Sequence, residues 1–144
     1  MENKFLKIIM NMIGSGLGNN GGSLTCVKSA NTLVELGHDV IMIDGGKNKH
    51  TWTKLNFPHI VVKDLSKVPN ADVIISTAFK TIPSTLLFDI SKGKKFHWIR
   101  GWELWALPEE KLVNLLKNDI FKIVNSICLY NKLKKFNIES TIIR

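Results

Sequence analysis

KIIMNMIGSGLGNNGG, running from Lys7 to Gly22, is the stretch around which the rest of the chain is organised. Ile8, Ile9, Met10 and Met12 form a near-continuous apolar run, the pattern of a strand covered on both faces in a parallel sheet. Gly14, Gly16, Gly18, Gly21 and Gly22 follow. Without Cβ atoms a turn can adopt positive φ and bring its N–H groups close to a ligand. Ser23 is expected to cap the next helix, whose apolar positions Leu24, Val27, Ala30, Leu33, Val34 and Leu36 recur at three and four, and Gly37 to end it. The first amides of such a helix are unpaired and carry partial positive charge, so they favour an anion. A glycine-rich turn also serves simply to let a helix pack closely on a sheet, but a loop of roughly ten residues is more than a βα connection requires.

Two nucleotide-binding patterns are not met. After Gly14 and Gly16 the third glycine falls at Gly18, one place early for the dinucleotide fingerprint, and the helix begins late. No Gly-Lys-Ser/Thr occurs, which excludes a nucleotide-triphosphatase loop.

Working outward, Val40 to Ile43 reads as a second buried strand that ends at Asp44-Gly45-Gly46. Asp44 stands where a dinucleotide enzyme places its ribose-binding acid, and this is the argument for an oxidoreductase-like alternative. Ile60 to Val62 and Val73 to Ser76 are further strands, and Pro83 opens a helix carrying Leu86, Leu87 and Ile90 on one face, closed by Gly93. Lys95 to Arg100 is a strand. Pro108, Glu109 and Glu110 start a helix ending at Lys117, Ile120 to Val124 is a strand, Ser126 caps a helix with Leu129, Leu133 and Phe136, and Thr141 to Ile143 is extended. Strands alternating with helices predict an α/β fold, a Rossmann-like parallel sheet with helices on both faces and Lys7 to Ile13 as its central strand. Residues 1–144 read as a single domain. Ligands of such sheets bind beyond the C-terminal ends of the strands. The glycine loop, Asp44 to Lys47, Ser76 to Lys80 and Arg100 to Leu107 should therefore meet in one cleft.

The chain of 144 residues is 44% hydrophobic and 22% charged, ordinary for a globular domain with a real core. Its net charge of +8 is less ordinary and suggests an acidic partner: a phosphorylated ligand, an anionic membrane surface or nucleic acid. Much of the charge sits in lysine clusters, Lys47 with Lys49, Lys92 to Lys95, and Lys132 to Lys135, which serve equally well as solvated helix ends. Cys26 and Cys128 have no partner spacing and are expected to be two buried, reduced thiols of a cytoplasmic protein. No run approaches the ~18 apolar residues of a membrane span, and the N-terminus lacks a signal-peptide cleavage site.

The second informative stretch is HWIRGWELW, His97 to Trp105, with three tryptophans, an arginine and a glutamate in nine residues. Tryptophan faces stack on sugar rings or bases, and Arg and Glu bind phosphates and hydroxyls with defined geometry. The competing reading packs Trp98 and Trp105 against the sheet and pairs Arg100 with Glu103.

The glycine loop with GGSLTCVKSANTLVELGHDV, then HWIRGWELW followed by an acidic helix, then IFKIVNSICLYNKLKKFNI, resembles the N-terminal domain of retaining GT-B-type glycosyltransferases, the group 1, family 4-like enzymes that include sucrose synthase and bacterial polysaccharide and glycolipid transferases. The resemblance spans essentially the whole chain. It implies that Gly21 and Gly22 approach the donor diphosphate and that Thr77 and Trp102 line the acceptor side. It also implies that Arg100, with Glu103 three residues on, takes the catalytic position where the family often has a histidine. No metal and no cofactor are implied. The partners implied are a nucleotide-sugar donor, held mainly by a C-terminal domain that this sequence lacks, and a glycan or lipid acceptor. An anionic membrane surface stays open, and no nucleic acid is expected. The sequence thus reads as half an enzyme, inactive alone. A dinucleotide-binding oxidoreductase-like domain and a non-enzymatic basic binding module are the alternatives.

Overall fold

The computed structural model describes residues 4–46 and 48–143. Lys47 and Arg144 lie outside the described residues, so the Lys47 end of the Asp44 loop is not placed. The strands are β1 (Lys7–Asn11), β2 (Asp39–Asp44), β3 (His59–Val61), β4 (Val73–Ser76), β5 (Lys94–Ile99), β6 (Phe121–Val124) and β7 (Thr141–Ile142). The helices are α1 (Gly21–Glu35), α2 (Ile82–Leu87), α3 (Glu109–Leu116) and α4 (Ile127–Lys135). The strands form one sheet in the order β3-β2-β1-β4-β5-β6-β7, parallel throughout. The protein is therefore an α/β domain of the Rossmann-like kind, with β1 inside the sheet between β2 and β4 as its sequence predicts.

The apolar runs explain the arrangement. Ile8 and Met10 of β1 point to one face, where they pack with Val40 and Met42 of β2 against Cys26, Val27 and Ala30 of α1. Ile9, Ile43 and Ile74 point to the other face and pack with Phe88, just past α2. A strand with both faces covered can have no polar side, which is why these segments read as unbroken apolar runs. Each such side chain, fully buried, contributes roughly 1.5–3 kcal/mol. A third cluster joins Ile82 of α2, Ile99, Leu112 and Leu116 of α3, Val124, and Leu129 and Leu133 of α4.

One row interrupts the apolar interior. Asn11, Ser76, His97 and Lys122 face one another in register across β1, β4, β5 and β6, and all four are buried. The start of α2 satisfies two of them. Asn11 Nδ2 donates to Ser84 Oγ at 2.9 Å and Thr85 Oγ1 at 2.8 Å, and the Ser76 hydroxyl bonds Thr81 Oγ1 at 2.7 Å.

Three expectations are corrected. The cap of α1 is Asn20, whose extended backbone lets Oδ1 accept the Ser23 amide at 2.9 Å. Ser23 lies inside the helix, and its hydroxyl accepts the Gly18 amide at 3.0 Å. Leu86, Leu87 and Ile90 do not form a buried helix face. The helix stops at Leu87 and buries Ile82 and Thr85, leaving Leu87 74% and Ile90 93% exposed. Of the two cysteines only Cys26 is buried, and Cys128 is exposed on α4. Other boundaries follow the sequence closely: Gly37 ends α1 at φ +97°, Pro108 precedes α3, and Ser126 caps α4 by accepting the Leu129 amide at 3.2 Å. No helix among the described residues is long and apolar enough to cross a membrane.

Candidate functional site

Strands succeed one another outward from β1 to β3 on one side and from β4 to β7 on the other, so the direction of winding reverses between β1 and β4. Loops on either side of such a junction diverge and leave a crevice at the C-terminal edge of the sheet. A cleft of about 370 Å³ lies there, walled by Gly22, Thr77, Lys80, Arg100, Glu103 and Trp105 among others. A wider groove of about 670 Å³ runs past the N-terminal ends of β6 and β7 and holds none of Gly21, Gly22, Thr77, Arg100, Trp102 and Glu103.

The glycine loop is shaped by two positive-φ residues, Gly14 (+104°) and Gly16 (+78°). At Gly14 a Cβ would sit 2.3 Å from the Lys80 carbonyl oxygen, so the bare backbone is what lets the β1 loop close against the β4–α2 loop. From the other side His50 Nδ1 lies 2.8 Å from Gly18 O, and Asn19 and Thr51 exchange two hydrogen bonds.

Gly21 and Gly22 have ordinary helical φ and form the first turn of α1. Asn20 takes the Ser23 amide, and no described residue accepts from the amides of Gly21 or Gly22. A Cβ on Gly21 would meet nothing within 4 Å, and one on Gly22 would lie 3.4 Å from Asn20 Oδ1 and 4.0 Å from Arg100 Nη2. The turn is open, with free amides at the positive end of the helix.

Arg100 follows β5 and ties this turn to the loop after β4. Nη1 donates to Gly22 O at 3.0 Å, Nη2 donates to Thr77 O at 2.9 Å, and the guanidinium stands 4.9 Å from the centre of the Trp98 ring. It makes no ion pair with Glu103. The Glu103 Oε1 instead accepts the Phe79 amide at 3.1 Å. Burial pushes the Glu103 carboxyl above its usual range, against the lowering effects of that bond and of Arg100 and Lys80. Thr77 contributes backbone rather than hydroxyl: its Oγ1 donates inward to Asn11 O at 2.8 Å.

The structure thus brings Gly22, Thr77, Arg100 and Glu103 together, with Gly21 on the exposed turn beside them, and does not bring Trp102. Its indole stacks on Phe136, centroids 5.9 Å apart and planes 12° apart, and Nε1 donates to Glu109 Oε1 at 3.0 Å, which holds the ring in the packing of α3 against α4. Trp105, which the competing reading packed against the sheet, instead stands in the cleft wall and is 77% exposed. Asp44 is not free for a ribose either. Its buried carboxylate is bonded to the Gly46 amide and to His59 Nε2.

No protein-family model matches the sequence, and no curated protein matches it. Solved structures do. An α-glucosyltransferase in complex with UDP and a 13-mer DNA containing an HMU base shares 15% identity at a TM-score of 0.60, over 98% of this chain and 42% of that one. An α-glucosyltransferase in complex with UDP-glucose and DNA containing an abasic site shares 14% at 0.60, over 99% and 43%. The chain spans about two-fifths of the length of these enzymes. They overturn the expectation that nucleic acid is absent from the partners, because this fold is seen in glycosyltransferases solved with DNA. The net charge of +8 already offered the electrostatics a polyanion requires, and the resemblance alone had set it aside. The chain has the α/β fold of one half of a GT-B glycosyltransferase.

Proposed function

We propose that this chain is the acceptor-side half of a retaining, family 4-like glycosyltransferase that moves a hexose from a nucleotide sugar to an acceptor lying in the cleft. The observation that carries the reading is the open first turn of α1, where two glycine amides are left unbonded within reach of the Arg100 guanidinium. A diphosphate needs such donors and such charge. Gly21 and Gly22 take the donor diphosphate. Arg100 steadies their turn and adds positive charge, and Glu103, whose second carboxyl oxygen is left unbonded by the Phe79 amide, orients an acceptor hydroxyl. Thr77 shapes the cleft floor.

The nucleotide itself is taken by the other half of the enzyme, and residues 1–144 make one domain of it. A glycan or lipid is the acceptor on this reading. A nucleic-acid acceptor is the second reading, favoured by the charge of +8 and by the DNA in the neighbouring structures. The test is a proton–nitrogen correlation spectrum of the protein with added UDP-glucose. The amide signals of Gly21 and Gly22 should move, and an unchanged pair at millimolar ligand overturns the assignment.

A further inference from the structure

Among the tryptophans between His97 and Trp105, two are engaged. Trp98 lies half-buried under Arg100, and Trp102 is stacked on Phe136. Trp105 is different, for most of its ring faces water at the lip of the cleft. A local turn sets this geometry, with the Leu104 amide donating to Trp102 O at 2.8 Å and the Ala106 amide to Glu103 O at 3.2 Å. The turn sends Trp102 back toward α4 while Glu103 and Trp105 line the same cleft. One edge of the Trp105 ring leans on Gly101, where a Cβ would lie 3.5 Å from Cη2. Glu103 uses Oε1 on the Phe79 amide, which leaves Oε2 for a ligand.

An indole face open to solvent beside a carboxyl with a spare oxygen is matched to a ring that is apolar on its face and carries hydroxyls on its rim. We propose that Trp105 is the stacking platform for a pyranose ring of the acceptor, with Glu103 binding that ring's hydroxyls. The proposal rests on the glycosyltransferase reading and names its acceptor as a saccharide. A nucleobase would also stack on an indole, but a polynucleotide needs a track of cations beside the platform. The cleft walls supply Lys80 and Arg100, the latter with both Nη atoms already committed to Gly22 O and Thr77 O. The clusters Lys92 to Lys95 and Lys132 to Lys135 do not line it.

The experiment follows the Trp105 indole N–H resonance of the protein during titration with a panel of α- and β-linked gluco-, galacto- and manno-pentaoses, a 13-mer DNA duplex, and mixed anionic vesicles. A pentaose from the panel should shift the Trp105 signal. Trp105→Ala should weaken that pentaose by about tenfold or more, equivalent to ~1.4 kcal/mol, while Trp105→Tyr keeps most of the affinity. The exposed Trp52, outside the cleft, serves as control, and Trp52→Ala should leave binding unchanged. No response of Trp105 to any saccharide overturns the proposal, as does a response to DNA or vesicles only, or saccharide affinity indifferent to Trp105→Ala. Movement of the Gly21 and Gly22 amides with UDP-glucose is read separately, so loss of the saccharide result with retention of the nucleotide-sugar result sinks this proposal alone.

Discussion

Arg100 spends both terminal nitrogens on main-chain carbonyls of two different elements, so its removal affects more than charge. Hydrogen bonds from a charged donor at this partly exposed position contribute about 1–2 kcal/mol in total. Arg100→Ala is therefore expected to lower both donor binding and stability, the latter by several degrees in Tm. Gly22 is the contrasting position. A valine Cβ there finds space, since its nearest neighbour would be Asn20 Oδ1 at 3.4 Å. Gly22→Val should keep stability within about 1 kcal/mol, or roughly 4 °C in Tm, while it shields the amide and weakens UDP-glucose binding at least tenfold by calorimetry. Parallel losses in the two measurements would show Gly22 to be structural. His97 gives a pH prediction. It is buried with neither ring nitrogen bonded, and burial, reinforced by the charges of Lys122 and Arg100, lowers its pKa from 6.5 to about 3. Between those values the unfolded chain binds the extra proton. The stability held above pH 6.5 is thus lost as pH falls, by about 1.4 kcal/mol per unit. His97→Leu should flatten the fall of Tm between pH 6.5 and 4, and identical slopes in variant and parent would refute a neutral buried imidazole.

Among the elements, the short segment from α2 to β5 is, like the Gly14 turn, intolerant of a single added atom. Gly93 has φ +101°, and a Cβ there would lie 2.5 Å from both Asp72 C and Val73 N, which are backbone atoms that cannot turn aside. Gly93→Ala should cost ~3 kcal/mol or more in chemical denaturation, combining strain with overlap. The strands were legible from sequence because double-sided burial writes itself as apolar runs such as Ile8 to Met10 and Val73 to Ile75. The cap of α1 was not. Asn20 and Ser23 are both competent caps three residues apart, and only the extended backbone of Asn20 decides between them. Leu86, Leu87 and Ile90 have helical spacing, yet the helix ends at Leu87, so the period has no helix to act on. Trp102 and Trp105 are likewise alike in sequence, and the turn between them, formed after Arg100 leaves the sheet, determines which ring meets the cleft. Sequence reasoning located Gly22, Thr77, Arg100 and Glu103 because parallel strands deliver their following loops to one edge. It could not see that Arg100 and Thr77 contribute through backbone contacts.

At the scale of the molecule, the cleft is lined by the first turn of α1, the loop after β4 and the segment after β5. A sugar transfer needs donor and acceptor held together, and a half with an open cleft loses that proximity. The purified 144-residue chain is expected to release no UDP from UDP-glucose above the uncatalysed background, with or without saccharide acceptors. Turnover that persists through rigorous purification would overturn the assignment of this chain as a half. The sheet order has a further, temporal consequence. β1 takes β2 as one neighbour in register Lys7↔Asp39, but its other neighbour, β4, begins at Val73. At roughly 5–20 residues per second of synthesis, a nascent β1 must pass a second or more with one row of amides and carbonyls unsatisfied. Ile9 meanwhile lacks the Ile74 that later covers it. The strand that anchors the finished protein is thus, until β4 emerges, an unpaired edge of the kind on which foreign strands add.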